Sequence, residues 1–396
     1  MSNGVFRRAV RFLPVLFLLI SVSRSAGQAN GIYADFTTSM GSFTCRLEYA
    51  VAPKAVANFI GLATGQRPWL DLNSGKARTN AFYNGLTFHR VISNFVIQGG
   101  SPNGQGTDGP GYVFPDEISA TLRFSGTGVL AMANSGTNSN GSQFFITASP
   151  QPSLNDGYTI FGELAGGTNV VIAINKVAVG VNDKPLTNVY IQNVGIRRVG
   201  SASLAFDINA QGLPIVTNLP LKIAKNGSQI SLNLSNRLYA DNQLYSSTNL
   251  TLWSGEGLGI EISAPMTNNF YRPIQAPMNF YSLAQIQYPS TTFAPKTVNG
   301  RVLTLNFSGG SGTIVASFDS SGGGTYTYTG SPPGTIPSYN WIQEPYRGRL
   351  WPIHYSGLVD MTLLLNFVTT TNGGFNGSAY TNPTNPPMVS GSWTLK

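Results

Sequence analysis

One stretch of the chain carries an arginine and a glutamine at a spacing suited to chemistry on a bound amide. It runs from Phe88 to Gly100 and reads Phe-His-Arg-Val-Ile-Ser-Asn-Phe-Val-Ile-Gln-Gly-Gly. Its β-branched and aromatic residues favour a strand, whose period of two puts Arg90 and Gln98 on one face if no bulge intervenes. A guanidinium and a carboxamide can orient an amide and donate hydrogen bonds to it, but neither readily serves as a nucleophile or a base.

Two later blocks also combine amides with aromatic rings. Residues 129–146 contain Gln143 and Phe145, and residues 154–162 read Leu-Asn-Asp-Gly-Tyr-Thr-Ile-Phe-Gly. Together with the first block they offer one guanidinium, two amides and several rings. Such a set can bind a rigid apolar ring and orient the amide next to it.

Other chemistries have few residues to support them. The only histidines are His89 and His354, too few for a histidine-based metal cluster. His89 falls on the strand face opposite Arg90, which predicts a packed ring with satisfied nitrogens rather than a base. The single cysteine, Cys45, allows no intramolecular disulfide and is predicted to be a small buried residue.

Two further motifs are interpreted without a catalytic role. Asp116 and Glu117 are adjacent, so on a strand they would point to opposite faces and could not flank one bond. A turn or a solvated strand end is expected there. Residues 104–109 match G-x-G-x-x-G, but no helix follows them, which predicts a glycine-rich loop rather than a nucleotide site.

The three blocks, in this order and with this internal spacing, resemble the cyclophilin family of peptidyl-prolyl cis-trans isomerases. The matching segments are FHRVI…F.IQGG, MAN…N.NGSQFFIT and LNDGYTIFGEL, and the resemblance covers roughly residues 30–199. It implies a closed antiparallel β-barrel capped by two helices. It also implies isomerisation of X–Pro bonds in polypeptide substrates, without a cofactor or a metal.

The resemblance assigns roles by position. Arg90 matches the catalytic arginine, and Gln98 matches the glutamine that holds this arginine and the substrate carbonyl. The predicted substrate-binding residues are Phe95, Val96, Ala133, Asn134, Gln143, Phe145, Leu154 and Tyr158. The sequence departs from the common pattern at Ser101, Ser153 and Tyr158, none of which removes the arginine, the glutamine or the pocket phenylalanines.

The local patterns predict the elements that position these residues. Residues 31–49 read as a β-hairpin, and a helix is predicted from Pro53 to Gly65. A polar loop over 66–82, longer than in compact cyclophilins, leads to the first block. A short helix over 168–173 and a closing strand over 189–199 complete the predicted domain.

Beyond residue 200 the chain reads as all-β, with short strands separated by Gly, Ser and Asn runs. We expect a small β-rich module over 200–278 and a C-terminal β-domain over 279–396. Its tryptophans can pack between sheets or form a sugar-stacking platform, so contact with glycans or the cell surface is one expectation for this half. The tryptophans in question are Trp341, Trp351 and Trp393.

The N-terminus predicts export. Residues 1–29 combine Arg7, Arg8 and Arg11 with an apolar run from Phe12 to Val22, which is typical of a signal peptide. The apolar run is short for a bilayer span, so no membrane segment is expected after signal removal, although a retained anchor is the alternative. We expect a periplasmic, cell-surface or secreted protein.

Charge argues against a nucleic-acid partner. The formal net charge is +8, from 24 Lys and Arg against 16 Asp and Glu. Four arginines lie within residues 1–29, so the remainder carries 20 basic and 16 acidic residues, a net charge of +4. No basic cluster remains that would bind nucleic acid. The leading hypothesis is an exported prolyl isomerase, and the rival is a non-catalytic proline-peptide-binding module on a carbohydrate- or surface-binding β-protein.

Overall fold

The computed structural model describes residues 29–235, 240–251, 253–261, 267–273, 280–289, 297–308, 312–330, 332–344, 346–353, 360–367, 372–380 and 388–396. The predicted signal lies outside these residues except for its last position, and His354 also lies outside them. In this part of the chain, no helix has the length and apolar character that a membrane crossing requires.

An eight-stranded antiparallel sheet forms the N-terminal domain, in the order β10-β1-β2-β9-β7-β8-β6-β5, with a separate β3–β4 hairpin beside it. Its strands are β1 Gly31–Thr38, β2 Gly41–Leu47, β3 Trp69–Asp71, β4 Lys76–Arg78, β5 Arg90–Ile92, β6 Val96–Gly99, β7 Val129–Met132, β8 Phe144–Thr147, β9 Ile160–Gly166 and β10 Ile191–Val199. Its helices are α1 Pro53–Thr64, α2 Thr168–Asn175 and α3 Ser201–Ala205. The predicted hairpin, the two predicted helices and the last strand are present.

The prediction of a closed barrel was wrong, because β5 and β10 remain the edges of the sheet. The segments that precede these two strands do approach each other. The Phe88 amide donates to the Val189 carbonyl at 3.0 Å, and the Ile191 amide donates to the Leu86 carbonyl at 2.7 Å. Isolated backbone hydrogen bonds, rather than a strand pair, therefore hold the two edges together.

Helix α1 covers the sheet and owes its bounds to three residues. Pro53 opens it with a preset φ, and Gly65 ends it in a left-handed conformation with φ 71°. The Glu117 carboxylate caps its first turn by accepting from the amides of Lys54 and Ala55, at 3.0 and 2.9 Å.

The prediction of a turn or a solvated strand end at Asp116 and Glu117 was therefore wrong, because both residues lie in irregular backbone and are only partly exposed. Asp116 accepts from the Asn138 amide and from the Asn140 side chain, both at 2.7 Å. Burial raises the pKa of both carboxyl groups, and these hydrogen bonds offset part of the rise. Both carboxylates are structural, which agrees with the prediction that they do not act as an acid–base pair.

The main core lies between the sheet and the two longer helices, and it continues beyond the predicted end of the domain at residue 199. Ile208 and Leu213, each 5% exposed, belong to the same buried cluster as Phe59 and Phe144. Cys45 is fully buried in this cluster, as predicted, and burial raises the pKa of its thiol.

The second part of the chain contains two small sheets, in the orders β11-β17-β14-β15 and β12-β13-β16. Their strands are β11 Ile215–Asn218, β12 Lys222–Asn226, β13 Gln229–Ser235, β14 Ala240–Ser247, β15 Ser254–Glu261, β16 Thr267–Pro273 and β17 Phe280–Gln287. The predicted boundary at 278/279 precedes β17. Since β17 pairs with both β11 and β14, strand pairing assigns it to this second part instead.

A nine-stranded antiparallel sheet forms the remainder, in the order β21-β20-β19-β18-β26-β25-β24-β23-β22. Its strands are β18 Val302–Phe307, β19 Thr313–Phe318, β20 Gly324–Tyr328, β21 Gly334–Ile336, β22 Tyr339–Glu344, β23 Arg347–Ile353, β24 Asp360–Phe367, β25 Asn372–Tyr380 and β26 Met388–Leu395. Trp393 is 1% exposed within its core, and Trp341 packs against that core. Neither tryptophan is presented as an open platform, and the side chain of Trp351 lies outside what the structure describes.

Candidate active site

The segment from Phe88 to Gly100 is a hairpin, not the single strand that its composition predicts. Strands β5 and β6 pair antiparallel, and the turn between them contains Asn94 at φ 57°, a left-handed conformation that asparagine tolerates. The Asn175 side chain at the end of α2 accepts from the Asn94 amide at 2.9 Å and donates to the Ile92 carbonyl at 2.8 Å. Helix α2 therefore fixes the turn.

The hairpin brings Arg90 and Gln98 to one face for a different reason from the predicted one. They are direct cross-strand partners, and Gln98 is in turn opposite Phe145 on β8. Partners in an antiparallel sheet project their side chains to the same face, and neighbouring strands lie about 4.8 Å apart. Guanidinium, amide and ring thus stand side by side along one row of the sheet.

The opposite face of these strands is buried in the main core. Val91, Ile97, Phe144 and Ile146 alternate with the site residues and are each no more than 1% exposed. The strict alternation lets one sheet serve as core wall and as site floor.

A pocket of about 180 Å³ lies above this row. Nine of the ten predicted site residues line it: Arg90, Phe95, Val96, Gln98, Ala133, Asn134, Phe145, Leu154 and Tyr158. The tenth, Gln143, lines an adjoining groove. The volume suits one small ring.

The apolar wall of this pocket is an aromatic stack. Phe145 lies between Tyr158, at a centroid distance of 5.3 Å and 89°, and Phe124, at 5.7 Å and 20°. Phe124 is fully buried behind Phe145 and locks its ring. The sequence did not point to Phe124, because it lies in an irregular segment between the first two motif blocks.

A chain of amides supports Gln98. Its Nε2 donates to Oε1 of Gln143 at 3.0 Å. Nε2 of Gln143 donates to the carbonyls of Gly106 and Asp108, both at 2.9 Å. One of the two N–H groups of Gln98 is engaged in this way, so its second N–H group and its carbonyl oxygen are left to contact Arg90 or a bound chain. The glycine-rich loop over 101–112 is thus a support for the site, and no helix follows it, as predicted.

Arg90 is held at the rim of the pocket with 43% of its side chain exposed, and its Nε lies 3.4 Å from Oδ2 of Asp183. Asp183 is in a short turn over Val181–Asp183 and has φ 57°. It lies outside the motif blocks, and no motif near it in the sequence pointed to this contact. Within the described residues, no group of three or more His, Cys, Asp or Glu could hold a metal ion.

The Asp183 contact predicts a positioning effect on Arg90. We expect Asp183→Asn to lower kcat/KM about twofold to fivefold, because an ion pair this exposed contributes about 0.2–1 kcal/mol. The fall should be in kcat rather than KM and should shrink at high salt. NMR of the Arg90 Nε–H should show a broader, shifted signal; an unchanged signal and rate would contradict the assigned role.

His89 is buried as predicted, at 5% exposure, but its ring is not satisfied. Neither ring nitrogen has a hydrogen-bond partner of normal geometry. The pKa of His89 is lowered to about 4, chiefly by burial and next by the Arg90 charge, although the Gln143 side chain and the Thr87 backbone offset part of the fall. The ring is therefore neutral at pH 7.

This burial predicts a pH dependence of stability. The unfolded chain binds a proton at His89 near pH 6.5, whereas the folded chain binds it only near pH 4, so stability falls as the pH decreases between these values. The loss amounts to about 2–3 kcal/mol. Unfolding of the wild type and of His89→Leu, compared from pH 7 to 4, should show the stability of the wild type falling by that amount relative to the variant. A constant difference would contradict the prediction.

The row of Arg90, Gln98 and Phe145 beside a ring-sized pocket can orient an amide next to a bound ring. Comparison with known proteins gives the family. Residues 33–196 match the family described as cyclophilin type peptidyl-prolyl cis-trans isomerase/CLD. The chain belongs to this family, and its N-terminal domain is a peptidyl-prolyl cis-trans isomerase.

Individual relatives extend over the same part of the chain. Peptidyl-prolyl cis-trans isomerase B of Streptomyces anulatus is 48% identical over 169 residues, which are 42% of this chain and 97% of that protein. Peptidyl-prolyl cis-trans isomerase A of Mycobacterium tuberculosis is 46% identical over 165 residues, 41% of this chain and 91% of that protein. The chain is also similar to the crystal structure of a cyclophilin type peptidyl-prolyl cis-trans isomerase from Cryptosporidium parvum, with 32% sequence identity. The match covers 42% of this chain and 98% of that chain, and its TM-score is 0.38.

Proposed function

We propose that this isomerase accelerates rotation about X–Pro bonds in extended segments of proteins outside the cytoplasm, and that Arg90 stabilises the twisted amide. The observation that supports this most directly is the pairing of Arg90 with Gln98 at the rim of a pocket floored by Phe145. A proline ring seated on Phe145 would place its amide next to both polar side chains.

The chemistry requires little more than this arrangement. Rotation about an X–Pro bond is slow because resonance gives the C–N bond partial double-bond character, with a barrier of about 18–20 kcal/mol. In the twisted state the prolyl nitrogen becomes pyramidal and gains a lone pair. A guanidinium positioned over it donates more strongly to that lone pair than to the planar amide. This difference in binding between ground and transition state lowers the barrier.

The remaining pocket residues hold the substrate in place. The pocket is lined by Phe95, Leu154 and Tyr158 together with Val96 and Phe145, and these side chains would enclose a proline ring. Asn134 donates to the Gly157 carbonyl at 3.0 Å, which ties together the two loops on the far side of the pocket. The backbone at Ala133 and Asn134 is the edge along which an extended chain would lie.

Export is supported by the sequence of residues 1–29. Three arginines precede an apolar run, and Gly27 and Ala29 stand at the −3 and −1 positions of a cleavage site. The mature chain would begin at Asn30, directly before β1. Its clients would be proteins of the periplasm, the cell surface or the medium.

The activity is tested by NMR exchange between cis and trans X–Pro in an unstructured peptide, with purified protein added in catalytic amounts. We expect faster exchange at a protein concentration far below that of the peptide. Binding of the peptide without faster exchange would reduce the site to a proline-binding module.

The compartment is tested by N-terminal sequencing of the protein recovered from culture fractions. We expect the sequence that starts at Asn30 in the fraction outside the cytoplasm. Replacing Arg7, Arg8 and Arg11 with Asn should retain the uncleaved chain inside. Recovery of the intact N-terminus in a membrane fraction would favour the anchor instead.

A further inference from the structure

The β3–β4 hairpin joins the isomerase domain to the second part of the chain. Ala77 donates from its amide to Oδ1 of Asn218 at 2.7 Å, and Ser282 donates to the Gly75 carbonyl at 3.0 Å. Gly75 has φ 61°, and a Cβ on it would lie 2.2 Å from the Tyr245 ring. Only glycine allows this approach of the hairpin to β14.

Apolar side chains from both sides close this junction. One buried cluster combines Leu70 and Tyr112 of the isomerase domain with side chains from the second sheet and its end: Val216, Ala284, Ile286 and Tyr288. Arg67 extends across as well, and its Nη2 donates to the Pro214 carbonyl at 2.6 Å. A shared dry cluster of this kind holds the two parts in one arrangement.

This arrangement builds a groove of about 780 Å³ beside the proline pocket. Its isomerase side consists of the glycine-rich loop and residues 133–143, with Leu72 contributed by the hairpin. Asp241 and Tyr288 line it from the C-terminal side. The groove is therefore incomplete without the C-terminal part of the chain.

The groove and the proline pocket share a border. Gln98, Ala133 and Asn134 line both. An extended chain advances about 3.3–3.6 Å per residue. When the proline of a peptide occupies the pocket, a residue one to three positions away from that proline therefore reaches the groove.

The charges that face the groove have one sign. Asp108 and Asp241 line it, and no lysine or arginine does so among the residues that the structure describes. The carboxylate of Asp108 already accepts from Ser101 and from the Asn103 amide. That of Asp241 accepts only from Gln243, at 2.8 Å to Oδ2, and its other oxygen has no further partner in the described chain.

We propose that this groove binds the side chain of a lysine or arginine close to the target proline, with Asp241 as its partner. Burial disfavours the unpaired Asp241 carboxylate, and a bound cation offsets that cost. Leu72, which is 41% exposed, also lines the groove and offers apolar surface to the aliphatic stem of a basic side chain. The C-terminal half thus selects the sequence on which the isomerase acts, an inference that rests on the proposed function.

The test compares two peptides that differ at one position near the proline, lysine in one and norleucine in the other. The position is scanned over three residues on each side. The cis–trans exchange rate is measured by NMR and the peptide affinity by calorimetry, both with the complete protein. We expect a preference of about threefold to tenfold for lysine at one or two adjacent positions, weaker at high salt.

Three variants isolate the groove. Asp241→Asn keeps the shape and the Gln243 hydrogen bond, and should abolish the preference while leaving the norleucine peptide unaffected. Asp241→Glu should retain part of it. Glu163→Gln, at an exposed carboxylate on β9 outside the groove, removes the same charge and should change nothing.

The outcomes separate the two proposals. Isomerisation of both peptides without a lysine preference, or a preference that survives in Asp241→Asn, overturns the groove assignment and leaves the isomerase. Failure of both peptides to isomerise overturns the proposed mechanism, and the calorimetric preference still decides the groove.

Discussion

Replacing Arg90 with alanine is expected to reduce kcat/KM for an X–Pro peptide about 100- to 1000-fold. That is the usual cost of removing one donor aimed at charge that develops in the transition state, and it corresponds to about 3–4 kcal/mol. The loss should be in kcat, because the guanidinium interacts more with the twisted amide than with the planar one. Peptide affinity should change little, since Phe145 and its neighbours remain.

The control is Arg46→Ala. Arg46 has a comparable side-chain exposure of 39% and pairs with Glu48 and Glu163, away from the pocket. We expect it to keep full activity. Arg90→Ala should keep the stability of the wild type within about 1 kcal/mol, because its side chain is at the surface. A folded Arg90→Ala protein with unchanged kcat would exclude the proposed mechanism.

Gly100→Ala is expected to lower the free energy of unfolding by about 2–5 kcal/mol. Gly100 has φ 90°, and a Cβ on it would lie 2.4 Å from the Ser142 carbonyl oxygen. Relief would require β6 to move away from β8, which breaks the hydrogen bond from Ser142 Oγ to the Gly100 carbonyl. Urea unfolding followed by tryptophan fluorescence measures the change.

Gly85→Ala provides the matched comparison. Gly85 also has a positive φ, of 84°, but a Cβ on it meets nothing within 4 Å. Gly85→Ala should therefore lower the free energy of unfolding only by the backbone strain, about 1–2 kcal/mol. Equal losses in the two variants would show that the contact with Ser142 relaxes freely.

The local elements of the isomerase domain could be predicted from the sequence because each has a local cause. Pro53 and Gly65 fix the ends of α1, and the hairpin of β1 and β2 follows from alternation. The strand containing Arg90 was misread because its turn is marked by Ser93 and Asn94 rather than by glycine or proline. The shared face of Arg90 and Gln98 was nevertheless predicted. A single strand places residues eight apart on one face, and so does a hairpin in which these two residues are cross-strand partners.

Contacts over long sequence distances could not be predicted. Glu117 caps a helix more than 60 residues earlier, and Asp183 approaches Arg90 from 93 positions later. Nothing near either residue in sequence signals its partner. The same holds for β17, whose pairing with β11 sets a different boundary from the one its composition suggests.

The hydrogen bond from the Ala77 amide to Asn218 gives the junction a natural probe. An amide exchanges its proton with solvent only when its acceptor departs. The deuterium uptake of this one backbone position therefore reports how often the contact with Asn218 at the junction opens. If the junction is rigid, the Ala77 amide should be protected from hydrogen exchange for as long as the amides of the core strands.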